Sequence, residues 1–124
     1  MKIAELKVLI CDDSMLIRKK VHDLLNKMGC DNVWEATDGE EAVSLFQRHE
    51  PDVVFMDIIM PKKTGLEALR EIRELNREVK IVMASSAGTR SNLQESADAG
   101  IFDFVQKPFD DEQILKILSS VLQG

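Results

Sequence analysis

Three short apolar runs constrain the fold more than any other feature of this chain: Lys7 to Cys11, Val53 to Met56 and Lys80 to Ala84. Each is rich in β-branched side chains, is bounded by polar or turn residues, and shows no alternation of apolar with polar positions. Such runs are expected of strands covered on both faces. Two weaker candidates, Asn32 to Ala36 around Trp34 and Asp103 to Val105, complete a set of five. Between and after them lie stretches with helical periodicity: Ser14 to Met28, Gly39 to Arg48, Gly65 to Leu75, Ser91 to Ala99 and Asp110 to Leu122. In the first of these the apolar positions are Leu16/Ile17, Val21, Leu24/Leu25 and Met28. Parallel neighbours need crossover connections, and helices supply them, so the alternation predicts an α/β protein with a five-stranded parallel sheet and helices on both faces.

The punctuation agrees. Ser14 is a candidate N-cap, Gly29 and Gly100 stand where helices end, and Asp110 opens the last helix. The fourth helical stretch offers only Leu93, Ala97 and Ala99 to a core, so it is expected to be the least stable element. A chain of 124 residues holds one ordinary domain and no second core. We find no repeat or linker and expect a single domain over 1–124. The net charge of -6 argues against a protein held to nucleic acid by phosphate neutralisation. The N-terminal apolar run is too short for a signal peptide or membrane span, so a cytoplasmic location is expected. Cys11 and Cys30 lack zinc-ligand spacing and are read as buried or half-buried free thiols.

In an open parallel sheet, ligands bind beyond the carboxyl ends of the strands. Asp12 and Asp13 follow the first strand, Asp57 follows the third, Ser85 and Ser86 the fourth, and Lys107 with Pro108 the fifth. Three carboxylates against one ammonium leave two negative charges, which a divalent cation would balance. All-oxygen ligands open to water suit Mg²⁺, with Mn²⁺ as a substitute, better than calcium or zinc. A phosphoryl group arriving there would meet the metal, Lys107 and a hydroxyl, with a carboxylate beside it as nucleophile.

These segments resemble the receiver domain of bacterial two-component response regulators. They are VLICDDSMLIRKKV, VVFMDIIMPKKTGLEALREIR with its Asp-x-x-Met-Pro, IVMASSAG and DAGIFDFVQKPF, and the resemblance spans the whole chain. It implies a doubly wound, flavodoxin-like sheet of strand order 2-1-3-4-5. It further implies that Asp57 accepts phosphate from a histidine kinase, and that Asp12, Asp13, Asp57 and the backbone carbonyl of Ile59 hold Mg²⁺. Lys107 and Ser85 would contact the phosphoryl oxygens, and Phe104 would turn inward as Ser85 moves. The Lys107–Pro108 bond would be cis. A downstream protein, in chemotaxis or another phosphorelay, would bind the face of helix four, strand five and helix five, and a separate phosphatase would end a long-lived signal. The methionine start and the end soon after the last helix lead us to expect a free-standing, monomeric domain that catalyses only its own phosphorylation and dephosphorylation.

Three features depart from the usual pattern. Ser85 stands where threonine is commoner, Ser86 replaces an alanine, and the switch position is Phe104 in a chain without tyrosine. Ile59 and Ala87, two positions after Asp57 and Ser85, carry no side-chain hydrogen-bonding group with which to orient a water, and the resemblance then implies slow self-dephosphorylation unless a separate phosphatase intervenes. Two rival readings are a Mg²⁺-dependent phosphohydrolase with an aspartyl-phosphate intermediate, and an adaptor that never carries phosphate. The phosphohydrolase signature of Asp-x-Asp after the first strand is here Cys-Asp-Asp-Ser. His22 and His49 are read as surface residues. Arg18, Lys19 and Lys20 form either a solvated face or a kinase-docking surface, and Lys62 and Lys63 raise the same choice.

Overall fold

A computed structural model describes residues 1–86 and 90–123. Five strands, β1 (Lys7–Cys11), β2 (Asn32–Ala36), β3 (Val53–Asp57), β4 (Lys80–Ser85) and β5 (Asp103–Gln106), form one parallel sheet of order β2-β1-β3-β4-β5. Five helices alternate with them: α1 (Met15–Lys27), α2 (Gly39–His49), α3 (Gly65–Leu75), α4 (Arg90–Ala99) and α5 (Asp111–Gln123). A 3-10 turn at Ile3–Glu5, not anticipated from the sequence, precedes β1.

Alternate strand residues feed two cores, one on each face of the sheet. Val8, Ile10, Val53, Phe55 and Val82 pack with Val21 and Leu25 of α1 and with Ile114, Ile117 and Leu118 of α5. Leu9, Cys11, Val54, Met56, Ile81 and Met83 pack with Ala42 and Phe46 of α2 and with Ala68, Leu69 and Ile72 of α3. Burial of both faces is why the strand runs lack alternation. Both cysteines are buried and free, and burial pushes their thiols up.

The helix ends follow the caps. Ser14 Oγ accepts from the Ile17 amide, and Asp38 does the same for Glu41 at the start of α2. Thr64 and Glu67 form a reciprocal capping box on α3. Asp110 Oδ1 accepts from the Gln113 amide, so it caps α5 from just outside the helix. Gly29 and Gly100, after α1 and α4, adopt φ of +96° and +94°, a conformation that costs glycine nothing.

Three core expectations are overturned. Leu16 is 79% exposed, because the apolar stripe of α1 that faces the core runs through Ile17, Val21 and Leu25. Leu93 and Ala97 of α4 are also exposed. Among the described residues the only fully buried one on α4 is Ser96, whose hydroxyl donates to the Asn92 carbonyl, while Ala99 is partly covered. The helix is held to α3 by polar contacts instead: Arg70 pairs with Glu95, and Arg73 Nε donates to the Gly100 carbonyl at 2.6 Å. Among the described residues, no helix is long and apolar enough to cross a membrane.

Candidate phosphoacceptor and metal site

All five strands run the same way, so their carboxyl ends gather on one edge. Asp57 is the last residue of β3 and Ser85 the last of β4, while Asp12 and Lys107 follow β1 and β5 directly. Asp12, Asp57 and Ser85 are buried, Lys107 is mostly covered, and Asp13 is exposed.

Lys107 holds the centre of this group. Its Nζ lies 2.5 Å from Asp12 Oδ2 and 3.3 Å from Asp57 Oδ2, and so bridges two buried carboxylates. Asp12 Oδ1 accepts from the Ser14 amide at 2.8 Å, and Asp57 Oδ1 from the Ile59 amide at 3.4 Å. Burial and the neighbouring Asp12 charge raise the Asp57 carboxyl above its ordinary range, and Lys107 only partly offsets them. Asp12, Asp13 and Asp57 each offer an oxygen within 4.8 Å of the others. Their donor set is all oxygen and carries excess negative charge, with one carboxylate left facing solvent. These residues fit a small, hard divalent cation that keeps part of its water.

The loops that carry these side chains are fixed by the backbone. The Ile58 amide donates to the Ala84 carbonyl, and the Gly65 amide to the Ile58 carbonyl at 2.7 Å. A Cβ on Gly65 would lie 1.9 Å from the Asp57 carbonyl oxygen, and one on Gly39 2.0 Å from that of Lys63. Only glycine lets α2 and α3 start this close to the loop after β3. The Lys107 amide donates to the Ser85 carbonyl at 2.9 Å, which joins the ends of β4 and β5. The Lys107–Pro108 bond is cis, as anticipated.

The remaining candidates are placed as follows. Ile59 is 58% exposed on the loop beyond Asp57, and Ser86 is exposed at the edge. Phe104, in β5, is partly buried against the core shared by α2 and α3. Ala87 lies outside the described residues. His22 and His49 are not free surface groups: His22 Nδ1 lies 2.7 Å from Glu35 Oε2, and His49 stacks on Trp34 with ring centroids 4.3 Å apart. Lys62 pairs with Asp38 at 3.7 Å and Lys63 with Glu71, so both fasten the β3–α3 loop to neighbouring helices. Arg18 and Lys20, read from the sequence as a solvated or docking face, instead donate to main-chain carbonyls of the loops carrying Asp12 and Lys107. No local signal marks them, since the Lys20 partner lies 89 positions away.

Comparison with known proteins gives the same architecture. The chemotaxis protein CheY of Bacillus subtilis (strain 168) is 37% identical over 116 residues, covering 94% of this chain and 97% of its own length. CheY of Thermotoga maritima is 36% identical over 115 residues, covering 93% of this chain and 96% of its own. Among solved structures, a chain of the CheX–CheY–BeF3–Mg²⁺ complex from Borrelia burgdorferi superposes with a TM-score of 0.89 at 32% identity, over 94% of this chain and 89% of that one. The family model of the response regulator receiver domain matches residues 8–119, from the second residue of β1 into α5. The chain therefore belongs to the response regulator receiver domain family.

Proposed function

We propose that the chain is a single receiver domain that accepts a phosphoryl group on Asp57 from a histidine kinase and thereby changes its affinity for a downstream protein. The observation that carries this reading is the Lys107 ammonium between Asp12 and Asp57, beside a third carboxylate on Asp13. The arrangement joins a nucleophile, a fixed cation and a set of metal ligands on one edge of the sheet.

Asp12, Asp13, Asp57 and the Ile59 carbonyl would hold Mg²⁺, with Mn²⁺ as a substitute. When bound, the ion supplies positive charge against the phosphoryl oxygens. In transfer, an Asp57 carboxylate oxygen forms the new bond to phosphorus as the nitrogen–phosphorus bond of the kinase phosphohistidine breaks, and the imidazole leaves with the electron pair. The Asp57 carboxyl, raised by burial and by Asp12, must be ionised to attack. Lys107 favours that form and then pairs with the phosphoryl oxygens. Ser85, fully buried at the end of β4, would hydrogen-bond one of those oxygens, and Phe104 would report the change by further burial. The output is protein binding, through α4, β5 and α5, rather than turnover of a separate substrate.

Met15, Leu16 and Ile59 are exposed around the acidic edge and would form the apolar rim on which the kinase docks. CheY relatives make a chemotaxis role the first to test, with the domain acting as a monomer and a separate phosphatase ending its signal. The test is incubation with a small phosphodonor and Mg²⁺. One base-labile phosphoryl group on Asp57, lost in Asp57→Asn, is expected, and a normal phosphate on Ser85 or Ser86 would overturn the assignment.

A further inference from the structure

Arg18, Lys19 and Lys20 look alike in sequence, yet the structure gives them different surroundings. Lys19 pairs with Asp23, one turn along α1, and its side chain is 70% exposed. The Arg18 side chain is 13% exposed. Its Nε lies 2.9 Å from Glu35 Oε1 on β2, and its Nη1 donates to the Asp12 carbonyl at 2.7 Å. Glu35 is held in turn from its other oxygen by His22. Lys20, about 200° further round the helix, points the opposite way. Its Nζ donates to the Phe109 carbonyl at 2.5 Å and lies 5.2 Å from the centre of the Phe109 ring.

Both acceptors are main-chain carbonyls of loops that carry the site. The Asp12 carbonyl belongs to the peptide plane joining Asp12 to Asp13, so a guanidinium that holds it fixes the two carboxylates relative to each other. Phe109 is two residues beyond Lys107, and its ring is buried in the core under α1 and α5. A second tie on its carbonyl limits how far the Lys107 backbone can move.

We propose that Arg18 and Lys20 are positioning residues: Arg18 orients the acidic pair for its metal, and Lys20 holds the loop from which Lys107 reaches Asp12 and Asp57. The inference rests on the function proposed above. Neither residue touches the reacting atoms. Arg18 acts through the Asp12 peptide and Lys20 through Phe109.

Charge and position predict opposite signs, which makes the test decisive. Deleting a cation near a Mg²⁺ site lessens repulsion and should tighten metal binding if charge alone matters. Deleting an orienting group should weaken it. Titrating Mg²⁺ alone by calorimetry, we expect Arg18→Met to raise the Kd about tenfold, the lower end for groups that orient metal ligands. Lys19→Met, the charge control, should leave it unchanged or slightly lower. For Lys20, the readout is reductive methylation of Lys107, followed by peptide mass spectrometry. Lys20→Met should speed Lys107 labelling several-fold while Lys2 and Lys27 keep their parental rates, and Lys20→Arg should restore protection, since a guanidinium can also donate to the carbonyl. An Arg18→Met Kd at or below the parent value overturns the role of Arg18. Lys107 labelling in Lys20→Met that matches the parent, or that rises together with all other lysines, overturns the role of Lys20. If the parent chain itself binds no Mg²⁺, the function proposed above and the role of Arg18 both fall, and the labelling experiment still decides Lys20.

Discussion

Replacing Lys107 by methionine keeps most of the side-chain stem and removes only the ammonium. At an effective dielectric constant near 20, distances of 2.5 Å and 3.3 Å correspond to gross attractions of about 7 and 5 kcal/mol. Carboxylates 4.8 Å apart would repel by about 3.5 kcal/mol on the same scale. Desolvation of the ammonium offsets several kcal/mol of the attraction, and removal of one partner from a buried pair costs about 3–5 kcal/mol. We expect a loss near 3 kcal/mol without metal, because Asp57 can relieve part of the repulsion by taking up a proton. For 124 residues that is a fall of about 12 °C in Tm. Saturating Mg²⁺ supplies the missing counter-charge and should narrow the gap to under about 1 kcal/mol. In the variant Asp57, already raised by burial and by Asp12, loses the Lys107 charge that offsets them, so its folded pKa stands further above the unfolded one and costs stability above the folded pKa. That cost disappears as the pH falls toward the unfolded values, so the deficit should also be smaller at pH 5 than at pH 8. Urea unfolding of parent and variant, with and without Mg²⁺ at both pH values, gives all four differences. A deficit indifferent to both metal and pH would show that Lys107 acts by packing, and would refute this electrostatic account.

Asp57→Asn should raise the metal-free Tm by a few degrees at pH 8, since a carboxyl with a raised folded pKa costs stability once ionised; the gain should fade toward pH 4, and a constant gain would contradict it. Gly65→Ala drives a methyl group against the Asp57 carbonyl and should cost about 2–3 kcal/mol and weaken Mg²⁺ binding, whereas Gly29→Ala, with open space around it and only φ to oppose it, should cost about 1 kcal/mol and leave the metal alone. Ile59→Asn places a polar group two residues beyond Asp57 and should speed loss of the acyl phosphate several-fold, as followed by intact-mass decay; an unchanged rate would show that this side chain does not govern water access. Amides of α4 should exchange faster than those of α1, and equal protection would contradict the sparse burial of α4.

Much of the fold was legible because strands buried on both faces leave unbroken apolar runs. β1, β2 and α3 begin and end at the residues expected from sequence. β3 and β4 each run one residue further than their apolar pattern, into Asp57 and Ser85, because a polar side chain at a strand end can turn to the site while its backbone stays in the ladder. The carboxylates and Lys107 could be listed because parallel topology brings strand ends together without knowledge of distances. Leu16 and Leu93 were misjudged for a physical reason: periodicity identifies an apolar face but not whether another element lies over it. Arg18 and Lys20 were opaque because their acceptors are backbone carbonyls, which leave no residue-type signal. Ala87, one of the two positions read as controlling water access, lies outside the described residues.

The two glycines that open α2 and α3 have a mechanical consequence. With Gly39 against the Lys63 carbonyl and Gly65 against that of Asp57, the loop after β3 is wedged between two helix starts at backbone contact. A push from a group added to Asp57 meets hard stops on that flank. On the flank of α4 it meets a helix with one fully buried residue among those described, fastened to α3 by polar links. If Asp57 takes up a phosphoryl group as proposed, strain would follow the compliant direction, and the protein would behave as a lever with a stiff fulcrum under Asp57 and its free arm toward α4. A substitution that softens the fulcrum would shorten the stroke even with every site residue intact.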